Sequence, residues 1–406
     1  MATTVVHTQQ ARQRRISELD VLRGIALLGI LLVNALVMAS PYGSAGFGRP
    51  DAPALDRAVE AVVQVVFVGK FYLLFSFIFG YSFTLQQTSA ERDGARALPR
   101  LLRRAAGLVA LGAVHAVFLY VGDILVTYGL LLLVLIAARH CSPRTALRAA
   151  KIVYGCASGF LLFLGAFSLL VPDGESAAWD AELAAEAREL IAGYRGDARS
   201  VVHTNIGQLP DSLLALLLMG GLVMAAFLVG LHCGKRRLLD DARLHRDRMR
   251  RICLTGTLVG LPGSLFMALA DSGAFGDRWV APGQMAGMVT APALTAAYVC
   301  GMLLFLETAR GRRVTALLAP AGRMALTNYL SQSLCMALVF TGYGLALYDR
   351  LGPAAVASGA LALFTTQLLL SSWLMRRFRH GPVEWLLRTL TLARRPGRPP
   401  RTDVPG

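Results

Sequence analysis

Long apolar runs separated by short polar stretches dominate the chain, and their spacing predicts membrane-spanning helices. The first begins Glu18-Leu19-Asp20-Val21-Leu22-Arg23-Gly24, and Leu22 to Ala39 is 18 residues with one formal charge, Arg23, at its mouth. At ~1.5 Å rise per residue, such a segment just spans a bilayer core. It is longer than the apolar part of a usual signal peptide, and Arg23 interrupts its start. A retained first helix is therefore expected, rather than cleavage after Val37-Met38-Ala39. Nine further spans are expected at roughly 62–85, 105–121, 124–138, 152–171, 212–233, 252–270, 284–306, 324–347 and 353–375.

The charges between the runs orient them. Arg92, Arg96, Arg100, Arg103 and Arg104 follow the second run, and Arg139, Arg144, Arg148 and Lys151 follow the fourth. A strongly basic stretch, 235–251, follows the sixth, and both ends of the chain are basic. The intervening loops are acidic, mixed or tiny. Pro172 to Asp211 holds eight acids, and its Ala/Glu-rich middle, 178–194, reads as a surface helix. Positive charge stays on the cytoplasmic side, so this alternation predicts an all-α, polytopic integral membrane protein with about ten transmembrane helices and both termini cytoplasmic. The expected organisation is a cytoplasmic tail 1–21, an N-terminal transmembrane half 22–234 with the acidic extracytoplasmic loop 172–211, and a basic cytoplasmic linker 235–251. A C-terminal half 252–388 and a disordered basic tail 389–406 complete it.

Composition agrees. Of 406 residues 55% are hydrophobic and 16% charged, against about 25% charged in soluble domains. The net charge of +16 could suggest nucleic acid, but the arginines cluster between apolar runs rather than forming one stripe with interleaved aromatics. Nucleic acid is therefore not an expected partner; the lipid bilayer is. All six cysteines lie in apolar runs or basic loops, so neither a disulfide framework nor a cysteine zinc site is expected. No other metal-ligand spacing is present, nor a P-loop or a nucleophile-elbow motif.

Candidate chemistry sits inside the spans. Asn34 falls within roughly 20° of Arg23 on the helical wheel and ~16 Å deeper. Asp20 and Arg23, three apart, can pair at the membrane surface. In the third span Arg104 and His115 repeat the same spacing. Polar groups in lipid are either bonded to a neighbouring helix or face a cavity, and a histidine there suits proton transfer. Asp123, in the turn after the third span, can cap the fourth helix or, with Thr127 and Tyr128, orient a hydroxyl. The densest polar cluster surrounds Thr327, Asn328, Ser331 and Gln332 in the ninth span; it implies a water-lined cavity or extensive interhelical bonding. Lys70, Ser76 and Gly80 in the second span read as helix contacts.

Five stretches, in order, resemble signatures of the YeiB-like bacterial membrane proteins: Leu19 to Asn34, Gly69 to Gly80, Gly122 to Leu125, Gly322 to Ser333 and Gly381 to Arg388. The resemblance implies a multi-pass protein of the bacterial inner membrane. More distantly, the first-span signature is similar to two groups of membrane acyltransferases that draw on cytoplasmic coenzyme A thioesters. One contains the heparan-glucosaminide acetyltransferase and the other modifies bacterial surface sugars. Where the surface-sugar group carries a histidine fourteen residues after the Asp, this chain has Asn34. An amide is no general base, so His115, from another helix, takes that role.

The resulting expectation is transfer of an acyl group from cytoplasmic acyl-coenzyme A to a small-molecule, glycan or lipid acceptor in or across the membrane. His115, Asn34 and Asp123 form the catalytic set, and Arg23 and Arg104 hold the coenzyme A phosphates. Thr327, Asn328, Ser331 and Gln332 line a substrate cavity. Acyl-coenzyme A enters as a donor substrate, with no permanently bound cofactor and no metal. The alternative is a transporter or export channel for a small metabolite, with the Asn328/Gln332 face along its pathway. The sequence leaves an oligomer open.

Overall fold

Each expected apolar run folds as helix, because lipid leaves backbone amides no partner but the chain itself. The computed structural model describes residues 2–43, 52–92, 96–170, 176–239 and 245–392. Among these the regular structure is entirely helical. Eight helical stretches are long and apolar enough to cross a membrane, and two shorter apolar helices, Leu125–His140 and Ala325–Phe340, stand at the expected fourth and ninth spans. The chain is therefore an all-α polytopic membrane protein. Large apolar side chains point outward along it, Leu217 being 78% exposed and Leu369 65%. In water such faces would drive association; in a bilayer they are the lipid surface.

Helix α1 runs Ala2–Ala39. The segment expected as a tail is thus helical, consistent with a stretch free of Gly and Pro up to Arg23. The second span divides into α2, Ala54–Val66, and α3, Lys70–Arg92. The break falls at Gly69, whose φ of +82° favours glycine. The buried Lys70 ammonium closes it by donating to the Gln64 carbonyl at 2.9 Å. Helix α4, Ala97–Phe118, and α5, Leu125–Ala137, form a tight hairpin, followed by α6, Pro143–Ser168. The acidic loop carries α7, Ser176–Arg195, close to the expected surface helix, and α8, Ala198–Gly207. Next come α9, Leu209–Lys235, and α10, Arg246–Asp271, so part of the expected basic linker opens α10; residues 240–244 lie outside the described residues.

In the C-terminal part, α11, Val280–Leu306, is followed by α12, Ala309–Arg323, a helix the span pattern did not separate. Pro320 stays inside α12, and the chain bends instead at Met324 (φ −105°, ψ 29°) before α13, Ala325–Phe340. The expected ninth span continued to residue 347; the helix stops earlier. Then come α14, Pro353–Arg377, and α15, Pro382–Leu392. The expected disordered tail began at 389, but residues 389–392 close α15, extending its helix from Pro382; the remainder lies outside the described residues.

Several helix pairs cross at glycine seams, and two of them frame the site. A Cβ on Gly80 of α3 would strike the Phe227 carbonyl of α9, and one on Gly230 would strike the Phe77 carbonyl of α3. Likewise Gly24 of α1 faces the Leu318 carbonyl of α12, and Gly322 faces that of Asp20. Small residues at such crossings let backbones approach and gain dispersion contacts.

Candidate functional site

The α1–α12 seam brings Arg23 and Arg323 to one end of the bundle, where α4 adds Arg100 and Arg104. Around them opens a cavity of about 1630 Å³, larger than a typical small-molecule site of ~300–1,000 Å³. Six arginines (Arg23, Arg100, Arg104, Arg323, Arg379, Arg388) line it, with a single carboxylate, Glu384, among the described lining residues. Deeper walls are apolar or aromatic, including Leu27, Ile30, Phe75, Phe79 and Leu125, and the inner end carries Tyr128 and Tyr329.

The arginines are unequally compensated. Arg23 donates to Asp20 at 2.7 Å and to Ser82 at 2.5 Å. Arg104 lies over the Phe79 ring at 5.7 Å, and its buried Nε has no hydrogen-bond partner. At the mouth His380 Nε2 stands 2.8 Å from Arg388. Burial, then Arg388, Arg323 and Arg379, holds the His380 imidazole below its usual range, so the neutral ring accepts from the guanidinium.

Glu384 does not neutralise this cluster. Its Oε1 accepts from the Leu326 and Thr327 amides at 2.6 and 3.0 Å, and its Oε2 from the Thr327 hydroxyl at 2.6 Å. The carboxylate of α15 thus caps the positive end of α13, and Thr327 accepts in return from the Val383 amide at 3.1 Å. Trp385, Leu387 and Arg388 are thereby held across the cavity mouth. Glu384→Ala should cost about 1–2 kcal/mol, the range of a lost cap, and release α15. Faster tryptic cleavage at Arg388 in detergent is the expected result; wild-type cleavage rates would count against the latch.

The other predicted positions fall elsewhere. His115 lies near the end of α4, buried, its Nδ1 2.9 Å from Asp123 Oδ1. The contact is at ion-pair distance but outside hydrogen-bond alignment, and His115 Nε2 has no protein partner in the structure. Asp123 also caps α5, accepting from the Val126 amide at 2.6 Å, so one carboxylate meets both expectations of it: cap and orienting group. His115 does not line the large cavity; the Tyr329 ring, 5.1 Å away, stands at its inner end. Asn34 borders a separate void of about 10 Å³ with Tyr329, Gln332 and Ser333.

Thr327, Asn328, Ser331 and Gln332 do not line the large cavity. Asn328 donates to Ser371 at 3.0 Å and Gln332 to Gln367 at 2.7 Å, while Gln367 donates to Ser331 at 2.9 Å. Asn328, Ser331 and Gln332 join α13 to α14 and Thr327 joins it to α15, the interhelical bonding that was one of two outcomes for so polar a span; of the four, Gln332 alone borders the small void.

Three contributors carried no signal of their own in the pattern: Tyr329, Glu384 and Asn205. Asn205 of α8 donates to the Val117 carbonyl at 3.1 Å and accepts from Tyr194 at 3.0 Å, closing the outer side of the His115 region. Burial, then Tyr343, pushes the Tyr194 phenol up to about 12, keeping it protonated as donor.

YxaH of Bacillus subtilis, described as uncharacterized, is 30% identical over 93% of this chain and 94% of its own. YeiB of Escherichia coli K12, likewise uncharacterized, is 30% identical over 92% of this chain and 95% of its own. The chain belongs to the YeiB-like family. Residues 233–394 of this YeiB-like protein also match the family described as protein of unknown function DUF418. That stretch contains both partners of the latch, Thr327 and Glu384, whereas His115, Arg23 and Arg104 precede it.

Proposed function

We propose that this YeiB-like protein transfers an acyl group from cytoplasmic acyl-coenzyme A to an acceptor in or across the bacterial inner membrane. The carrying observation is the cavity: six arginines at its mouth, the one lining carboxylate committed to a helix end, and apolar walls leading to Tyr329, with His115 and Asp123 directly behind. Guanidinium groups suit phosphates through charge-assisted hydrogen bonds, and the arginine-rich end belongs in the cytoplasm. In this scheme Arg23 and Arg104 hold the phosphates and the pantetheine arm follows the apolar walls inward. His115 Nε2 removes the proton of the acceptor hydroxyl, Asp123 orients the ring, and the Asn34 amide donates to the developing oxyanion.

Transport had the Asn328/Gln332 face along its pathway, and the bonding of that face to α14 makes it the weaker reading. The test is binding of acetyl- and longer acyl-coenzyme A to purified protein in nanodiscs. Micromolar binding is expected, with Arg104→Ala weakening it roughly tenfold or more, as a charged hydrogen bond of ~1.5–3 kcal/mol implies. Absence of binding by wild type at high micromolar concentrations overturns acyl transfer and favours transport.

A further inference from the structure

Tyr329 is the wall between two spaces. On one side it closes the inner end of the large cavity; on the other it borders the void of about 10 Å³ with Asn34, Gln332 and Ser333. That void has room for about one water-sized atom. Two of its polar groups are already engaged: Gln332 donates its amide to Gln367 at 2.7 Å, and the Ser333 hydroxyl reaches the Tyr329 carbonyl at 3.4 Å. The Tyr329 hydroxyl is different. It is buried, its oxygen meets the Ile124 backbone and its own proton has no acceptor in the structure, while its ring lies 5.1 Å from His115. Leaving a buried hydroxyl proton without an acceptor costs free energy that phenylalanine, filling the same space, would not incur. A hydroxyl kept there is suited to an oxygen that arrives only with substrate.

We infer that the Tyr329 hydroxyl, at the inner end of the large cavity, is a donor to the thioester carbonyl oxygen. The inference rests on the acyl-transfer reading. As the acceptor hydroxyl oxygen bonds to the thioester carbon, its proton passes to His115 Nε2. The carbonyl electron pair moves onto oxygen, which accepts from the Tyr329 hydroxyl. Collapse re-forms the carbonyl and breaks the C–S bond, and the departing sulfur takes the proton from His115. Tyr329 keeps its own proton throughout. Its role is placement of a fixed dipole where charge develops, which helps most in a water-excluded site.

Tyr329→Phe separates this role from a structural one. The expected result is a kcat about 100-fold lower, the lower range for losing one oxyanion donor. Acetyl-coenzyme A affinity should stay within about twofold and the thermal midpoint equal or exceed that of wild type. A structural residue would instead lower the midpoint and leave kcat within about threefold, and that result overturns the assignment. A second measurement needs no acceptor: the infrared carbonyl stretch of bound acetyl-coenzyme A carrying ¹³C at the carbonyl. It should lie at lower frequency in wild type than in Tyr329→Phe. Equal frequencies overturn the inference while leaving acyl transfer standing. Failure of wild type to bind the donor overturns the parent reading first, and the inference with it.

Discussion

Alanine in place of His115 should abolish acyl transfer. General-base catalysis contributes roughly 10²–10⁴-fold, and no other described side chain is paired with Asp123 to replace it. Donor binding should barely change, because His115 is buried behind Tyr329 and does not line the arginine-rich cavity. Loss in kcat without loss in affinity is the signature of a group acting in the transition state. The measurement is thioester consumption in nanodiscs with a panel of sugar, glycan and lipid acceptors, beside equilibrium binding of the donor. His115→Gln refines it, since an amide keeps polarity at that position but cannot take a proton at neutral pH. If both variants turn over normally, the base lies elsewhere and the His115–Asp123 pair is a packing device.

Valine at Gly80 should prevent accumulation of folded protein. The added side chain would drive into the Phe227 backbone carbonyl, and α9 cannot yield there because Gly230 already lies against the Phe77 carbonyl. Overpacking typically costs 1–3 kcal/mol, and contact against backbone belongs at or above about 3 kcal/mol. Detergent-solubilised Gly80→Val should elute as aggregate or melt far below wild type. Gly159→Ala is the control, since nothing lies within 4 Å of a Cβ at that position. Equal thermal midpoints for wild type and Gly80→Val would mean that α3 and α9 do not cross as described.

How far the chain was legible follows from the range of each force. Burial of apolar runs is a local property of sequence, so the apolar segments could be located from the pattern, and their helices are where hydrocarbon requires them. The start of the ninth span at 324 was legible, but the separate helix α12 was not, because a basic amphipathic stretch reads equally as loop or surface helix. Partner choice was the larger gap. The polarity of Asn328 and Gln332 demanded hydrogen-bonding partners, yet nothing in the local pattern pointed to Ser371 and Gln367, on the next helix. Glu384, inside the Gly381 to Arg388 signature, carried no assigned role, and it caps a helix other than its own. Tyr329 lay within the polar run 323–333 with no role assigned to it; what distinguishes it is a buried hydroxyl whose proton has no acceptor, a property that appears only once the neighbours are in place.

The latch between Glu384 and α13 sets an order in time. Arg23 and Arg104 are among the earlier residues to be synthesised, while the helix that closes over them is near the end of the described chain. Until Pro382 to Leu392 has emerged and folded, α13 begins with uncapped amides and the arginines stand open to any anion at the membrane surface. The cavity mouth is therefore among the last parts of the described chain to be completed in biosynthesis.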